Sequence, residues 1–360
     1  MADDSTTIID GDGHIIEDQA GILKLMPPAY RKKLDEFPFI RLFPNLDHLH
    51  SANMHDFQEG AFNFNTGVEE WVGFLKQTGI QSTVLYPTGG LAFGKIVSTD
   101  WAIDLARGYN DWIHQTYMKR SPAFKAVALL PLQDPQAAVE ELRRAVKELG
   151  MVGAMLPSTG IQSHLGHKRY WPIYEEADRL GCAIAVHGGA HESMGMDDLT
   201  PYAPVHALGH PYGIMISFAS VIFNGLPDRF PRVKFAFLEA GVAWLMLCME
   251  RFHRSYSTHV QQDPRGQFLK LRPKENVSDY ISRHIDEGRI FVGCEGEEPD
   301  MAHAISRLGN KAFVFSSDFP HEVNIAGCMH EIKEIREHPE LSAADKRAIL
   351  QDNARRLYNL

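Results

Sequence analysis

The chain has 360 residues, 44% hydrophobic and 23% charged, which suffices for one large α/β barrel or two ordinary domains. A net charge of −10, with no long basic run, speaks against nucleic acid as a partner and leaves a small molecule as the expected ligand. Four cysteines, Cys182, Cys248, Cys294 and Cys328, stand far apart with no Cys-x-x-Cys pair, so neither a disulfide framework nor a zinc ribbon is expected.

The opening Met1 to Thr7 is acidic and polar where a secretory signal would be basic and then apolar. No uninterrupted apolar run approaches the roughly 18 residues of a membrane span. Together these features read as a soluble cytoplasmic protein with no membrane partner. Ile8-Ile9 begins the first candidate strand, which leads into Asp10-Gly11-Asp12-Gly13-His14. The stretch from about 16 to 64 is far longer than an ordinary strand-to-helix connection of about 2–6 residues. Its prolines, aromatics, His48 and His50 suggest a lid or oligomer contact inserted after the first strand. Thr83 to Tyr86 is the second apolar run, followed by a helix with Asp100 as a candidate cap and Leu105, Tyr109 and Trp112 on its apolar face. Ala126 to Leu130 is the third run, and Asp134-Pro135 then supplies an N-cap with proline in the first turn. Val152 to Leu156, Ala183 to Val186 and Val233 to Leu238 follow. A second long excursion, Tyr256 to Glu287, precedes Ile290 to Val292 and Phe313 to Phe315, and Ser342 with Asp345 suggests a capping box.

The apolar runs number eight, are nearly continuous rather than alternating, and are separated mostly by amphipathic stretches. That pattern fits parallel strands covered on both faces. A (β/α)8 TIM barrel spanning 1–360 as one domain is the expected fold, with a doubly wound open sheet as its competitor.

In such a barrel, polar side chains at strand exits form the site. Asp12 and His14 are two residues apart, which puts carboxylate and imidazole on one face of an extended segment. The fifth run ends on His187-Gly188-Gly189, the sixth on Glu239 and the eighth on Asp318. Three carboxylates gathered at one face without a cation would cost several kcal/mol apiece. Asp12, His14, His187, Glu239 and Asp318 are therefore the candidate metal ligands.

The Asp12-Gly13-His14 opening, Trp171-Pro172-Ile173-Tyr174-Glu175, Phe230-Pro231-Arg232-Val233-Lys234, Ser316-Ser317-Asp318-Phe319-Pro320-His321 and the terminal Asn353 to Tyr358 are together specific. They resemble the branch of the amidohydrolase superfamily that includes aminocarboxymuconate-semialdehyde and dihydroxybenzoate decarboxylases. The resemblance implies metal-ligand roles for Asp12, His14, His187 and Asp318, a proton-handling role for Asp318, and zinc as the usual ion. This chain departs from it in two places. Asp12 stands where many relatives have histidine, and Glu239 replaces a histidine after the sixth strand. The carboxylate-rich set suits manganese or iron better than an imidazole-rich one would.

The expected activity is hydrolysis or decarboxylation of a small aromatic or unsaturated carboxylic acid, with Asp318, Glu239 and His210 as catalytic candidates. His210 is expected in a loop, where it would polarise substrate or exchange protons, and Phe62, Phe64 and Trp71 are expected either to close over the substrate or to be ordinary core. Two alternatives remain open at this level. In one, Glu239 bridges two ions, iron or manganese, in an oxygen-dependent hydroxylase, with His191, His206, His210 or His321 as further ligands. In the other, the chain is an inactive metal-binding subunit paired with an active paralogue. A homodimer or such a mixed oligomer is the expected assembly.

Overall fold

A computed structural model describes residues 6–36, 41–48, 65–259 and 262–360. Eight strands pair in parallel and in chain order: β1 (Ile8–Ile15), β2 (Ile80–Pro87), β3 (Phe124–Leu129), β4 (Gly153–Pro157), β5 (Ala183–His187), β6 (Lys234–Phe237), β7 (Ile290–Cys294) and β8 (Phe313–Phe315). Helices fill every connection, as parallel neighbours require. This is the expected (β/α)8 barrel, and all eight runs are strands. Every residue of β4, β5 and β7 is buried, which explains why these runs are continuously apolar.

The helix starts show how local chemistry cuts the chain into elements. Asp134 caps Pro135–Lys147 by accepting from the Gln136 and Ala137 amides at 2.9 and 3.2 Å. Ser342 and Asp345 form the expected reciprocal box. Helix Thr99–Ile113 differs from expectation, because its cap is Ser98, whose hydroxyl accepts from Trp101 N. Asp100 lies inside the first turn, where its charge favours the positive helix end. Leu105, Tyr109 and Trp112 are buried on that helix as expected.

The segment after β5 is the main correction. It holds a 22-residue helix, Tyr202–Phe223, rather than a loop, and His210 lies within it. By length and composition this helix, with mean hydropathy 1.2, could cross a membrane; half of it is buried against the rest of the fold, through Val205, Ile214, Phe218, Val221 and Ile222. Its apolar face is a packing face.

The seam between β8 and β1 is closed by side-chain and backbone bonds beyond the strand ends. Asp318 N donates to Asp12 O at 3.0 Å and His14 N donates to Phe319 O at 2.7 Å. The Asp10 carboxylate accepts from Thr83 Oγ1 of β2 at 2.6 Å and from Ser317 N and Oγ at 2.9 and 2.8 Å. Gly13 is required here, since a Cβ would lie 2.5 Å from the Trp71 ring and 2.7 Å from the Asp10 carboxylate.

The described part of the long insertion contains helices Gln19–Leu25 and Pro28–Glu36 and an irregular, bent stretch over 41–48. That stretch touches the loops where β2 and β5 exit: Asn45 O accepts from Lys95 Nζ, Leu46 O from His191 N, and His48 Nε2 bonds Leu199 O. His50, Phe62 and Phe64 lie outside the described residues. Trp71 is fully buried core on helix Val68–Thr78.

Candidate metal centre

β1 presents Asp12 and His14 to the same side, as their spacing predicts, and β5 brings His187 to meet them. The two imidazole Nε2 atoms are 3.1 Å apart, Asp12 Oδ1 is 3.6 Å from His14 Nε2, and Asp12 Oδ2 is 3.5 Å from His187 Nε2. Ligand atoms about 2.1 Å from one ion stand roughly 3.0–3.4 Å from each other in octahedral or tetrahedral arrangements. The observed 3.1 Å lies within that range and the 3.5 and 3.6 Å separations lie just above it. The His14 ring is also aimed, because its Nδ1 donates to Pro87 O at 2.9 Å, which leaves the Nε2 lone pair for an ion. Trp71 Nε1 donates to His14 O at 3.0 Å and fixes the backbone of the same residue.

The other two candidates flank this triad on opposite sides. Asp318 Oδ1 is 3.6 Å from His14 Nε2, and Glu239 Oε2 is 3.2 Å from His187 Nε2. Both residues have left-handed backbone, φ 50° at Asp318 and 55° at Glu239, unusual for a non-glycine residue. Each therefore turns its carboxylate back over the strand end instead of continuing outward, a strain of the kind found at functional sites.

The remaining histidines sort by geometry. His321 is buried, its Nδ1 2.9 Å from Asp318 Oδ1 and its Nε2 2.9 Å from Thr88 Oγ1, and its ring stacks on His14 at 4.1 Å. His210 is also buried, with Nε2 3.5 Å from Glu239 Oε2 and Nδ1 3.4 Å from His191 Nε2. Gly188 makes its seat, since a Cβ there would stand 1.8 Å from His210 Nδ1. His206 lies further out and pairs with Glu322 at 3.3 Å. Arg251 is exposed on helix Ala243–Thr258.

The electrostatics follow from burying so many ionisable groups together. Burial raises Asp12, although His187 pulls the other way, and burial with the fields of Asp318 and Asp12 raises Glu239 well above the usual carboxylate range. Burial, then His321 and His187, lower His14 well below an ordinary histidine, and burial with His191 and His187 does the same to His210. His187 is opposite: burial works against its charged form, but Asp12 and Glu239 prevail and raise it to about 9. In the metal-free protein a proton on His187 thus does part of the work of a cation.

The donor set fits a divalent ion. Asp12 Oδ1 and Glu239 Oε2 are buried atoms facing only histidine nitrogens, at 3.2–3.6 Å, and Asp318 Oδ1 has the His321 ring at 2.9 Å as its one close partner among the described residues. Buried oxygens left unsatisfied cost on the order of 1–3 kcal/mol each or more unless a ligand satisfies them. His14 is held neutral with its lone pair directed at them, as ligation requires. Asp12, His14 and His187 offer one ligand atom each within 4.8 Å of one another, and so do His14, Asp318 and His321.

Three supporting residues went unassigned from sequence. Asp10 precedes Asp12 across a β-bulge between Asp10 and Gly13, which puts its carboxylate on the Gly13 face, away from Asp12 and His14, and no spacing rule marks it. Glu298 accepts from Val242 N at 2.6 Å and Glu295 N at 3.0 Å, so it ties the turn after Glu239 to the loop after β7. Glu295, on that loop, is raised to about 7 by burial and by Asp318. Glu295 directly follows β7, so the strand-exit signal that marked Glu239 and Asp318 was present there and unused.

Residues 82–360 match the amidohydrolase family, and the chain belongs to it. It is 25% identical over 262 residues to a 2-amino-3-carboxymuconate-6-semialdehyde decarboxylase of Dictyostelium discoideum, covering 73% of this chain and 68% of that one. It is 28% identical over 301 residues to a gamma-resorcylate decarboxylase of Rhodococcus jostii, covering 77% and 83%. Among solved structures, a dihydroxybenzoic acid decarboxylase from Polaromonas with bound manganese and the inhibitor 2-nitroresorcinol superposes with a TM-score of 0.68 at 20% identity, covering 98% of this chain and 97% of that one.

Proposed function

We propose that this chain is a metal-dependent decarboxylase acting on a small aromatic or unsaturated carboxylic acid. The observation that carries the reading is the Asp12–His14–His187 cluster with Asp318 beside it, at the strand exits of an amidohydrolase-family barrel. The curated relatives cited above, named as decarboxylases, support loss of carbon dioxide over hydrolysis. The carboxylate-rich donors and the manganese of the related structure favour manganese over the zinc suggested by family habit.

A divalent ion held by Asp12, His14, His187 and Asp318 would supply the positive charge that gathers the substrate's acid and a neighbouring oxygen. In this reading Asp318 passes a proton from His321 to the substrate carbon. The bond between the ring or alkene carbon and the carboxylate breaks, carbon dioxide leaves, and that carbon takes its new hydrogen from the Asp318 carboxyl. His321, hydrogen-bonded to Asp318 at 2.9 Å, positions the carboxyl and returns a proton to it. His210 stays neutral and donates a hydrogen bond toward the substrate carboxylate. The stretch over 41–48 is hydrogen-bonded to the loops that follow β2 and β5.

The test is carbon dioxide release by manganese-loaded protein from a panel of hydroxybenzoic and muconate-type acids, with Asp318→Asn alongside. Loss of about 10²–10⁴ in turnover with manganese content retained is expected for the variant. No release across the panel, or a variant within tenfold of the parent, would overturn the assignment.

A further inference from the structure

Two consecutive residues at the exit of β2 hold two imidazoles of the cluster. Pro87 O accepts from His14 Nδ1 at 2.9 Å, and Thr88 Oγ1 bonds His321 Nε2 at 2.9 Å. The two rings stack on each other at 4.1 Å. Their partners differ in what they allow. A carbonyl oxygen only accepts, so Pro87 fixes hydrogen on His14 Nδ1 and leaves Nε2 to an ion. A hydroxyl donates or accepts, so Thr88 stays bonded to His321 Nε2 whether or not that nitrogen carries hydrogen. The other ring nitrogen, Nδ1, faces Asp318 Oδ1 at 2.9 Å.

The turn that carries Thr88 is itself held from a third direction. Glu17, two residues past the end of β1, accepts from Gly89 N at 3.0 Å with one carboxylate oxygen and from Gly90 N at 2.9 Å with the other. Bonds from two amides to one carboxylate fix both the position and the tilt of the turn. The turn also packs closely on the strand it leaves, since a Cβ on Gly90 would lie 2.6 Å from Pro87 Cβ. The Thr88 hydroxyl therefore sits on a fixed support, between the β1 exit that supplies Glu17 and the β8 exit that supplies His321.

We propose that Thr88 is a positioning residue for proton delivery: its hydroxyl keeps the His321 ring aligned on Asp318 before and after hydrogen is passed, and Glu17 holds that hydroxyl in place through the two glycine amides. With hydrogen on both ring nitrogens, the Nδ1–H bond of His321 breaks as an O–H bond forms on the Asp318 carboxylate. The ring is left neutral with its remaining hydrogen on Nε2, still donated to Thr88 Oγ1. When the hydrogen of the neutral ring is on Nδ1 instead, the hydroxyl turns and donates to Nε2. A misplaced ring would lose the short path to Asp318, and small misplacements of reacting groups are costly. The proposal rests on the decarboxylase reading, in which Asp318 supplies the new hydrogen of the product, and adds two residues that act through His321.

The experiment compares the parent with Thr88→Val, Thr88→Ser and Glu17→Gln as full-length protein. Nitrogen NMR of isotope-labelled histidines in zinc-loaded, diamagnetic protein reads the His321 ring, identified by the signals lost in His321→Gln. Thr88→Val should move the Nε2 signal, and Thr88→Ser should leave it near the parent's. In manganese-loaded protein with the best acid of the panel above, Thr88→Val should lower kcat about 10–100-fold while KM, manganese content and melting temperature stay at the parent's values. Serine should restore most of that loss, and Glu17→Gln should show a smaller fall in kcat. An unmoved Nε2 signal, or a valine variant within about threefold of the parent in kcat, would overturn the proposal. So would a loss accompanied by lost manganese or a lower melting temperature, which marks a structural role. A parent that turns over no acid of the panel overturns the decarboxylase reading and the catalytic purpose of the bond with it, whereas the Nε2 signal decides the bond itself.

Discussion

Removing the Asp10 carboxylate tests whether the barrel seam holds the metal ligands in place. Asp10 is 0% exposed, and its two oxygens accept from Thr83 Oγ1, Ser317 N, Ser317 Oγ and Asp12 N at 2.6–3.2 Å. Burial raises this carboxyl to about 6, even though those bonds favour its charged form. Hydrogen bonds to a charged group contribute roughly 1.5–3 kcal/mol each, and every buried donor left unmet costs about 1–3 kcal/mol. With partial relaxation, Asp10→Ala should cost about 3–5 kcal/mol. At about 2.1 cal/mol/K of unfolding entropy per residue, that is a fall of roughly 4–7 °C in melting temperature. Asp10→Asn should cost about 1 kcal/mol, since its oxygen can still accept from the two amides while the Thr83 and Ser317 hydroxyls rotate to accept from its NH2. Because Asp12 N and Ser317 flank two ligands, Asp10→Ala should also weaken manganese binding about 10–100-fold. Calorimetric melting and metal titration of both variants read the two effects. An alanine variant that melts within 1 °C of the parent and binds manganese equally would refute the reasoning.

Two further predictions concern pH. His187 is raised above the ordinary histidine value of 6.5 to about 9 in the metal-free protein, with burial opposed and overcome by Asp12 and Glu239. Its proton therefore stabilises that form fully below pH 6.5, and the contribution is lost as pH rises through about 9. Manganese must displace this proton, so binding near pH 8 should release close to one proton per ion. Titration calorimetry in buffers of different ionisation enthalpy would show it, and identical heats in all buffers would refute it. Glu176 is lowered to about 2, first by its bond from Arg179 and, against burial, by Arg143. Its contribution is present above the unfolded value near 4.5 and lost as pH falls through about 2. Since both arginines are about half exposed, Glu176→Gln should cost only about 1 kcal/mol at pH 7. That gap should shrink between pH 4.5 and 2 in urea unfolding, and an equal gap at pH 7 and 2.5 would count against the clamp.

The sequence by itself determined the barrel and the strand ends that carry the candidate ligands. Buried parallel strands need nearly continuous apolar runs, and each run here ends where polarity returns, so His187, Glu239 and Asp318 stand out at the exits. The period of two on β1 put Asp12 and His14 on one face, whereas the bulge that sends Asp10 to the other face is not legible in the sequence. Only the tertiary structure decided how those ends meet. His14 and His187 are 173 residues apart and are brought to 3.1 Å by barrel closure, which no local pattern encodes. The left-handed backbone at Glu239 is imposed by the packed strand end, since glutamate rarely enters that region, whereas aspartate tolerates it at Asp318. Helix Tyr202–Phe223 forms despite Pro211 because its apolar face has the barrel to cover, and that packing turns His210 toward Glu239. Burial likewise sets the charge of the site: His14 is neutral and His187 charged because of the groups closure places around them, not because of their neighbours in the chain.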